Sequence, residues 1–162
     1  MSTRFDSFFP FIIKWEGSVF ENDPDDPGGA TKFGIDQRSH PNVDIRNLTI
    51  DGAKAIYLAS YWNKIRADEM PPKVGEIMMD IAVNNGSGRA VKWLQEIVGV
   101  DADGALGPLT IAAANASDGD KTAQRLLDRR TEFYHSIAKG KMAKFLTGWL
   151  NRNNDLRRTL GL

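Results

Sequence analysis

The stretch EGSVFENDPDDPGGATKFGI, residues 16–35, holds five acids and four glycines in twenty positions. Two carboxyl groups in unlike environments can share acid and base work: one stays protonated and donates to a leaving oxygen, while the other stays ionised and activates water or stabilises positive charge. Glu16 fits the first role. It continues an apolar helix face, lies beside Trp15 and near Phe20, and falls at the negative end of a helix, so desolvation and the helix dipole both favour its neutral form. Asp25 and Asp26 fit the second role, in a polar turn rich in Gly and Pro where backbone N–H groups can hold a charge. This pairing is the chemistry of glycosidic bond hydrolysis. The bland alternatives are a half-exposed glutamate at a helix end and a solvated or calcium-binding loop. An EF-hand register starting at Asp23 puts Pro27 at position five and Gly34 at position twelve, and DADG at 101–104 lacks the closing acid, so no metal site is implied.

Other chemistries find no residues to carry them. The chain has no cysteine, which excludes disulfides, zinc thiolates and thiol nucleophiles, and His40 and His135 lack zinc-ligand spacing. No phosphate loop or G-x-S-x-G elbow is present.

The elements that must position the acids are mostly helical. Ser7 is a candidate N-cap for a short helix with Phe8, Phe9, Ile12 and Ile13 on its buried side, ending at Glu16 before Gly17. The Gly, Pro and Asp density from Val19 to Asp36, with the run TKFGI, predicts hairpin-like strands and tight turns. Thr49 caps a predicted helix through DGAKAIYLASYWNKI, and further helices are expected at KVGEIMMDIAVNNG and GRAVKWLQEIVG. Pro108 stands at the first position of another, Asp118 caps a long one, and a last helix fits around AKFLTGWLNR. The reading is mainly α with one small β-hairpin region.

At 162 residues, with 41% hydrophobic and 26% charged residues, one compact domain is expected. Neither a membrane span nor a signal peptide is read: the apolar run Phe8–Ile13 is interrupted by Pro10 and ends at Lys14. The net charge is zero, yet residues 121–162 carry ten bases and three acids. Such a face suits an anionic polymer or simply a solvated helix surface; no nucleic-acid motif accompanies it, and nucleic acid is not an expected partner.

Glu16, eight residues, Asp25, five residues and Thr31 reproduce the Glu–Asp–Thr spacing of phage-type lysozymes. More broadly, EGS…NDPDDPGGATKFGI resembles the signature of the glycoside hydrolase family 108 muramidases, which include phage endolysins and bacterial secretion-associated lysozymes. The resemblance continues in order through IYLASYW, MDIAVNNG, AVKWLQEIVGVDADGALGPLT, RRTEFYHSIA and GWLNR, the later stretches being similar to that family's C-terminal predicted peptidoglycan domain. It implies a lysozyme-like α+β fold with a hairpin region beside a helical lobe and a cleft between them. One domain would span 1–162, with a catalytic part at 1–70 and a helical, peptidoglycan-binding-like part at 71–162. Implied further is an N-acetylmuramidase that cuts the β-1,4 bond between N-acetylmuramic acid and N-acetylglucosamine in peptidoglycan strands and needs no cofactor. Glu16 would be the general acid, Asp25 would position or activate water, and Thr31 would hold that water. Ser18 replaces the family's second glycine and the segment before NDP is one residue longer, so alignment back from PGGAT selects Asp26 instead. Asn84 and Asn85 are candidate N-acetyl contacts or helix caps; Tyr57, Tyr61 and Trp62 can stack on sugars or build core. The family serves both phages and bacteria, so the origin stays open: the first expectation is a monomeric endolysin, held in the host cytoplasm until a holin opens the way to the wall, and the second a prophage-derived bacterial enzyme. A lytic transglycosylase and a non-catalytic wall-binding module are the competing readings.

Overall fold

The computed structural model describes residues 2–162. The chain is mainly helical with one small antiparallel sheet, the lysozyme-like α+β class expected. It divides into two compact units, Met1–Ser60 and Tyr61–Leu162.

The first unit opens with α1, Thr3–Glu16. The helix starts earlier than the Ser7 cap predicts: Ser2 Oγ accepts from the Phe5 N–H at 3.1 Å, while the Ser7 hydroxyl donates back to the Thr3 carbonyl at 3.0 Å. Phe5 extends the stripe of Phe8, Phe9 and Ile12 by one turn, and burying its ring favours the longer helix. Pro10 lies on the exposed face, where the Asp6 carbonyl, left without its usual helical donor, can reach water. Gly17, at φ +78°, stops the helix and donates to the Ile13 carbonyl at 2.9 Å.

The strands β1 (Thr31–Lys32) and β2 (Ile35–Asp36) pair antiparallel, Thr31 opposite Asp36 and Lys32 opposite Ile35. The two-residue loop between them is Phe33 at φ +54° and Gly34 at φ +75°. Positive φ at both positions is the turn whose twist matches that of paired strands. Phe33 bears the steric cost and is held in place by burial of its ring. Helix α2, Ile50–Tyr57, is capped by Thr49 as predicted, the Gly52 N–H donating to Thr49 Oγ1 at 3.1 Å. The helix then loosens into a π-helical turn, Leu58–Trp62, where the sequence reading expected uninterrupted α-helix to Ile65. Tyr57 packs against Phe9 of α1, ring centres 6.0 Å apart.

In the second unit, α3 (Val74–Asn85) is the buried core helix, packed by α4 (Ser87–Val98) and α6 (Gly119–Ile137). Helix α5 (Pro108–Ala116) begins at its proline, and Asp118 caps α6 by accepting from the Lys121 N–H. The last helix, α7, is Leu146–Thr159 rather than residues 143–152, because Gly140–Phe145 form a separate 3-10 turn before it. A buried ion network ties these helices together. Asp80 of α3 accepts from Arg130 of α6 at 2.7 Å and from Arg152 of α7 at 2.7 Å, while Arg130 also donates to Asn153 at 2.8 Å. Burial alone pushes the Asp80 carboxyl up, but Arg152 and Arg130 together outweigh it and hold the group below the ordinary carboxylate range. Part of the basic excess of the last third is therefore internal structure, with Arg157 paired to Asp128 and Arg129 to Glu96 on the surface.

Candidate active site

Glu16 is the last residue of α1 and is half-buried. Its carboxyl lies over Gly34 at the hairpin tip: a Cβ added there would sit 2.7 Å from Glu16 Oε2, 2.9 Å from Glu16 Cβ and 2.5 Å from the Tyr57 hydroxyl. Gly34 is thus required twice, by its positive φ and by the lack of room. The Tyr57 hydroxyl donates to the Phe33 carbonyl at 2.8 Å, so α2 clamps the same turn from its other side. Helix end, hairpin tip and buried phenol together fix where the Glu16 carboxyl can be.

The two aspartates in the acidic loop differ. Asp26 Oδ1 accepts from the Gly28 N–H at 2.7 Å and lies near the Gly28 Cα, where it closes a local turn. Asp25 donates its backbone N–H to Asp23 Oδ1 at 2.9 Å, and its own carboxylate forms no hydrogen bond or ion pair among the described residues. Both are exposed. Asp26 is occupied in holding the loop, whereas the Asp25 carboxylate faces solvent. Thr31 is half-buried at the start of β1; its N–H donates to the Glu21 carbonyl at 2.8 Å and its hydroxyl makes only a long contact, 3.4 Å, to the Gly29 carbonyl.

The remaining candidates separate by burial. Tyr57 and Trp62 are fully buried, so neither presents a ring face to a sugar, and the core alternative holds for both. Tyr61 is half-buried. At the end of α3, Asn84 is exposed and donates Nδ2 to the Asp80 carbonyl at 2.8 Å, and Asn85 is half-buried. Both line a pocket of about 180 Å³ within the second unit. Gly86, at φ +92°, supplies the helix stop, so the asparagine side chains are not needed as caps. Sequence reasoning missed the roles of Gly34 and the Tyr57 hydroxyl. The signal for Gly34 was present: two residues, the second glycine, between TK and ID. Nothing local marks Tyr57 as a clamp, since its partner is 24 residues away. Among the described residues no group of three or more His, Cys, Asp or Glu could hold a metal, and no helix is long and apolar enough to cross a membrane.

Residues 9–86 match the family described as Glycosyl hydrolase 108, and residues 89–154 match the one described as Predicted Peptidoglycan domain. Among solved structures the chain is similar to "Structure of Brucella abortus SagA", with 33% sequence identity, a TM-score of 0.83, and coverage of 96% of this chain and 92% of that one. A search of the curated proteins returns no match. Identity of that size along nearly the whole of both chains, joined to consecutive family matches, means that the chain belongs to the glycosyl hydrolase 108 family and is a glycosidase active on peptidoglycan.

Proposed function

We propose that the protein is an N-acetylmuramidase that hydrolyses the β-1,4 bond between N-acetylmuramic acid and N-acetylglucosamine. The observation that carries this reading is the seating of the Glu16 carboxyl over Gly34, where a helix end, a hairpin tip and the Tyr57 hydroxyl hold it half-buried. Glu16 protonates the leaving oxygen as the glycosidic bond breaks. Asp25, whose carboxylate has no structural task among the described residues, orients or deprotonates the attacking water, and the Thr31 hydroxyl holds that water. Asp26 keeps the loop in shape. Asn84 and Asn85 supply amide contacts to substrate, and Tyr61 is the one sugar-stacking aromatic that the burial pattern favours among Tyr57, Tyr61 and Trp62. Acting from inside a host through a holin-made opening, such an enzyme would be an endolysin, working as a monomer. The test is release of reducing sugar from purified peptidoglycan by wild type, Glu16→Gln and Asp25→Asn. Loss of release in both variants, with unchanged thermal unfolding, is expected; an active Glu16→Gln protein would remove Glu16 from the role. Sacculi bound without any release by well-folded wild type would favour a wall-binding module.

A further inference from the structure

The pocket in the second unit contains a cation that no acid among the described residues pairs with. Arg89, exposed in the first turn of α4, donates Nη1 to the Asn85 carbonyl at 3.3 Å and lies over the Phe133 ring at 4.4 Å, but forms no ion pair among the described residues. Its other N–H groups have no protein acceptor among the described residues, and no acid occurs anywhere between Glu132 and Asp155, the stretch that supplies the facing aromatic side chains. That wall is a continuous aromatic run: Phe133 contacts Tyr134 at 6.0 Å, and Tyr134 stacks on Trp149 at 5.1 Å.

The pocket is also held rigid from beneath. Tyr134 follows Arg130 by one turn of α6, and Arg130 is bound to Asp80, whose backbone carbonyl in turn accepts from Asn84 Nδ2 at 2.8 Å. That bond turns the Asn84 amide so that its oxygen is left as an acceptor at an exposed position. The site therefore offers a planar cationic fork, an amide oxygen and an apolar aromatic wall within about 180 Å³.

A neutral N-acetyl sugar would use the acceptor and the wall but leave the guanidinium idle. A phosphate polymer would use the cation, yet no lysine lines the pocket to follow a chain of charges, and the aromatic wall would be wasted. A short peptide bearing a free carboxylate uses all of these: the carboxylate on Arg89, an amide N–H on Asn84, and aliphatic side chains on Phe133 and Trp149. In peptidoglycan such peptides hang from the muramic acid lactyl groups. We propose that this pocket binds a carboxylate of the peptide stem and makes the enzyme select peptide-bearing strands, an inference that rests on the peptidoglycan-hydrolase reading above.

Binding should be measured by ¹⁵N NMR on the full chain carrying Glu16→Gln, so that no turnover intervenes. The ligands are an N-acetylmuramyl peptide with free carboxylates, the same compound with its carboxylates amidated, an N-acetylglucosamine tetramer and polyglycerol phosphate. The free-acid peptide should shift the Arg89 Nε and Asn84 side-chain resonances, and either amidation or Arg89→Gln should weaken binding about tenfold, the loss of one charge-assisted contact. Equal affinity for acid and amide forms, or unchanged affinity in Arg89→Gln, would overturn the proposal. So would stronger shifts of these resonances by the tetramer or the phosphate polymer. The amidated ligand tests the idea without mutation, so misfolding of a variant cannot shelter it. Because no cleavage is involved, discrimination between acid and amide in this variant, together with a well-folded wild type that releases no reducing ends from peptidoglycan, would refute the muramidase while leaving the peptide site standing.

Discussion

Replacing Gly34 by alanine tests whether the hairpin tip positions Glu16. The new Cβ would lie 2.5 Å from the Tyr57 hydroxyl, 2.7 Å from Glu16 Oε2 and 2.9 Å from Glu16 Cβ, against an ordinary contact distance of at least 3.4 Å. The carboxyl oxygen must therefore retreat by about 0.7 Å, and a displacement approaching 1 Å at a reacting group costs on the order of 100-fold in rate. Stability falls as well. A left-handed conformation costs a non-glycine residue about 1–2 kcal/mol and overpacking costs about 1–3 kcal/mol, so a total loss of roughly 2–5 kcal/mol is expected. Clearing of peptidoglycan suspensions reads the first effect, and urea unfolding reads the second. Tyr57→Phe in the same background removes the tightest clash and should restore part of the stability. It leaves the Phe33 carbonyl without its donor, so restoration should be incomplete. A Gly34→Ala protein with full activity and an unchanged midpoint would refute the claim that this close approach sets the acid's position.

Further outcomes follow from the same contacts. Asp25→Asn should lose most hydrolysis while unfolding at the wild-type midpoint, whereas Asp26→Asn, which keeps the oxygen that accepts from Gly28, should retain activity; parallel rate and melting measurements separate the two. Asp80→Asn removes the buried carboxylate that Arg130 and Arg152 share and should cost about 3–5 kcal/mol, seen as a thermal midpoint lower by on the order of 10 °C. The same carboxyl makes the fold acid-labile. Because Asp80 is held below its unfolded value, its stabilisation is complete above that value, about pH 4, and is lost as pH falls towards the folded one. Melting midpoints measured from pH 5 downward should drop in wild type, with a shallower dependence in Asp80→Asn.

Much of this architecture is local in origin and could be read locally. Thr49, Pro108 and Asp118 start helices, and Gly17, Gly86 and Gly99 end them, because caps and positive φ depend on one or two residues. The start of α1 was misplaced because Ser2 and Ser7 are both competent caps, and only burial of Phe5 decides between them. The π-turn at Leu58–Trp62 gives no periodic signal distinct from that of an α-helix, so the change of register was invisible. Tyr57 and Trp62 read equally well as sugar platforms or core until their burial was known. Helix α7 hides its inner face in the sequence, since Arg152, Asn153 and Asp155 are buried there, the first two meeting partners on other helices and Asp155 pairing with Arg158 of its own helix. For the candidate site, the spacing of Glu16, Asp25 and Thr31 was legible, while the different employment of Asp25 and Asp26 rests on turn hydrogen bonds that neighbouring identical side chains cannot announce.

The assignment of Glu16 as general acid in a muramidase meets its most direct test in mass spectrometry of fragments released from purified peptidoglycan by wild type and Glu16→Gln. Hydrated reducing ends on muramic acid, present with wild type and absent with Glu16→Gln, are the predicted result. Anhydro-muramic ends from wild type would contradict hydrolysis and identify a lytic transglycosylase, and undiminished hydrated products from Glu16→Gln would contradict the assignment of the acid.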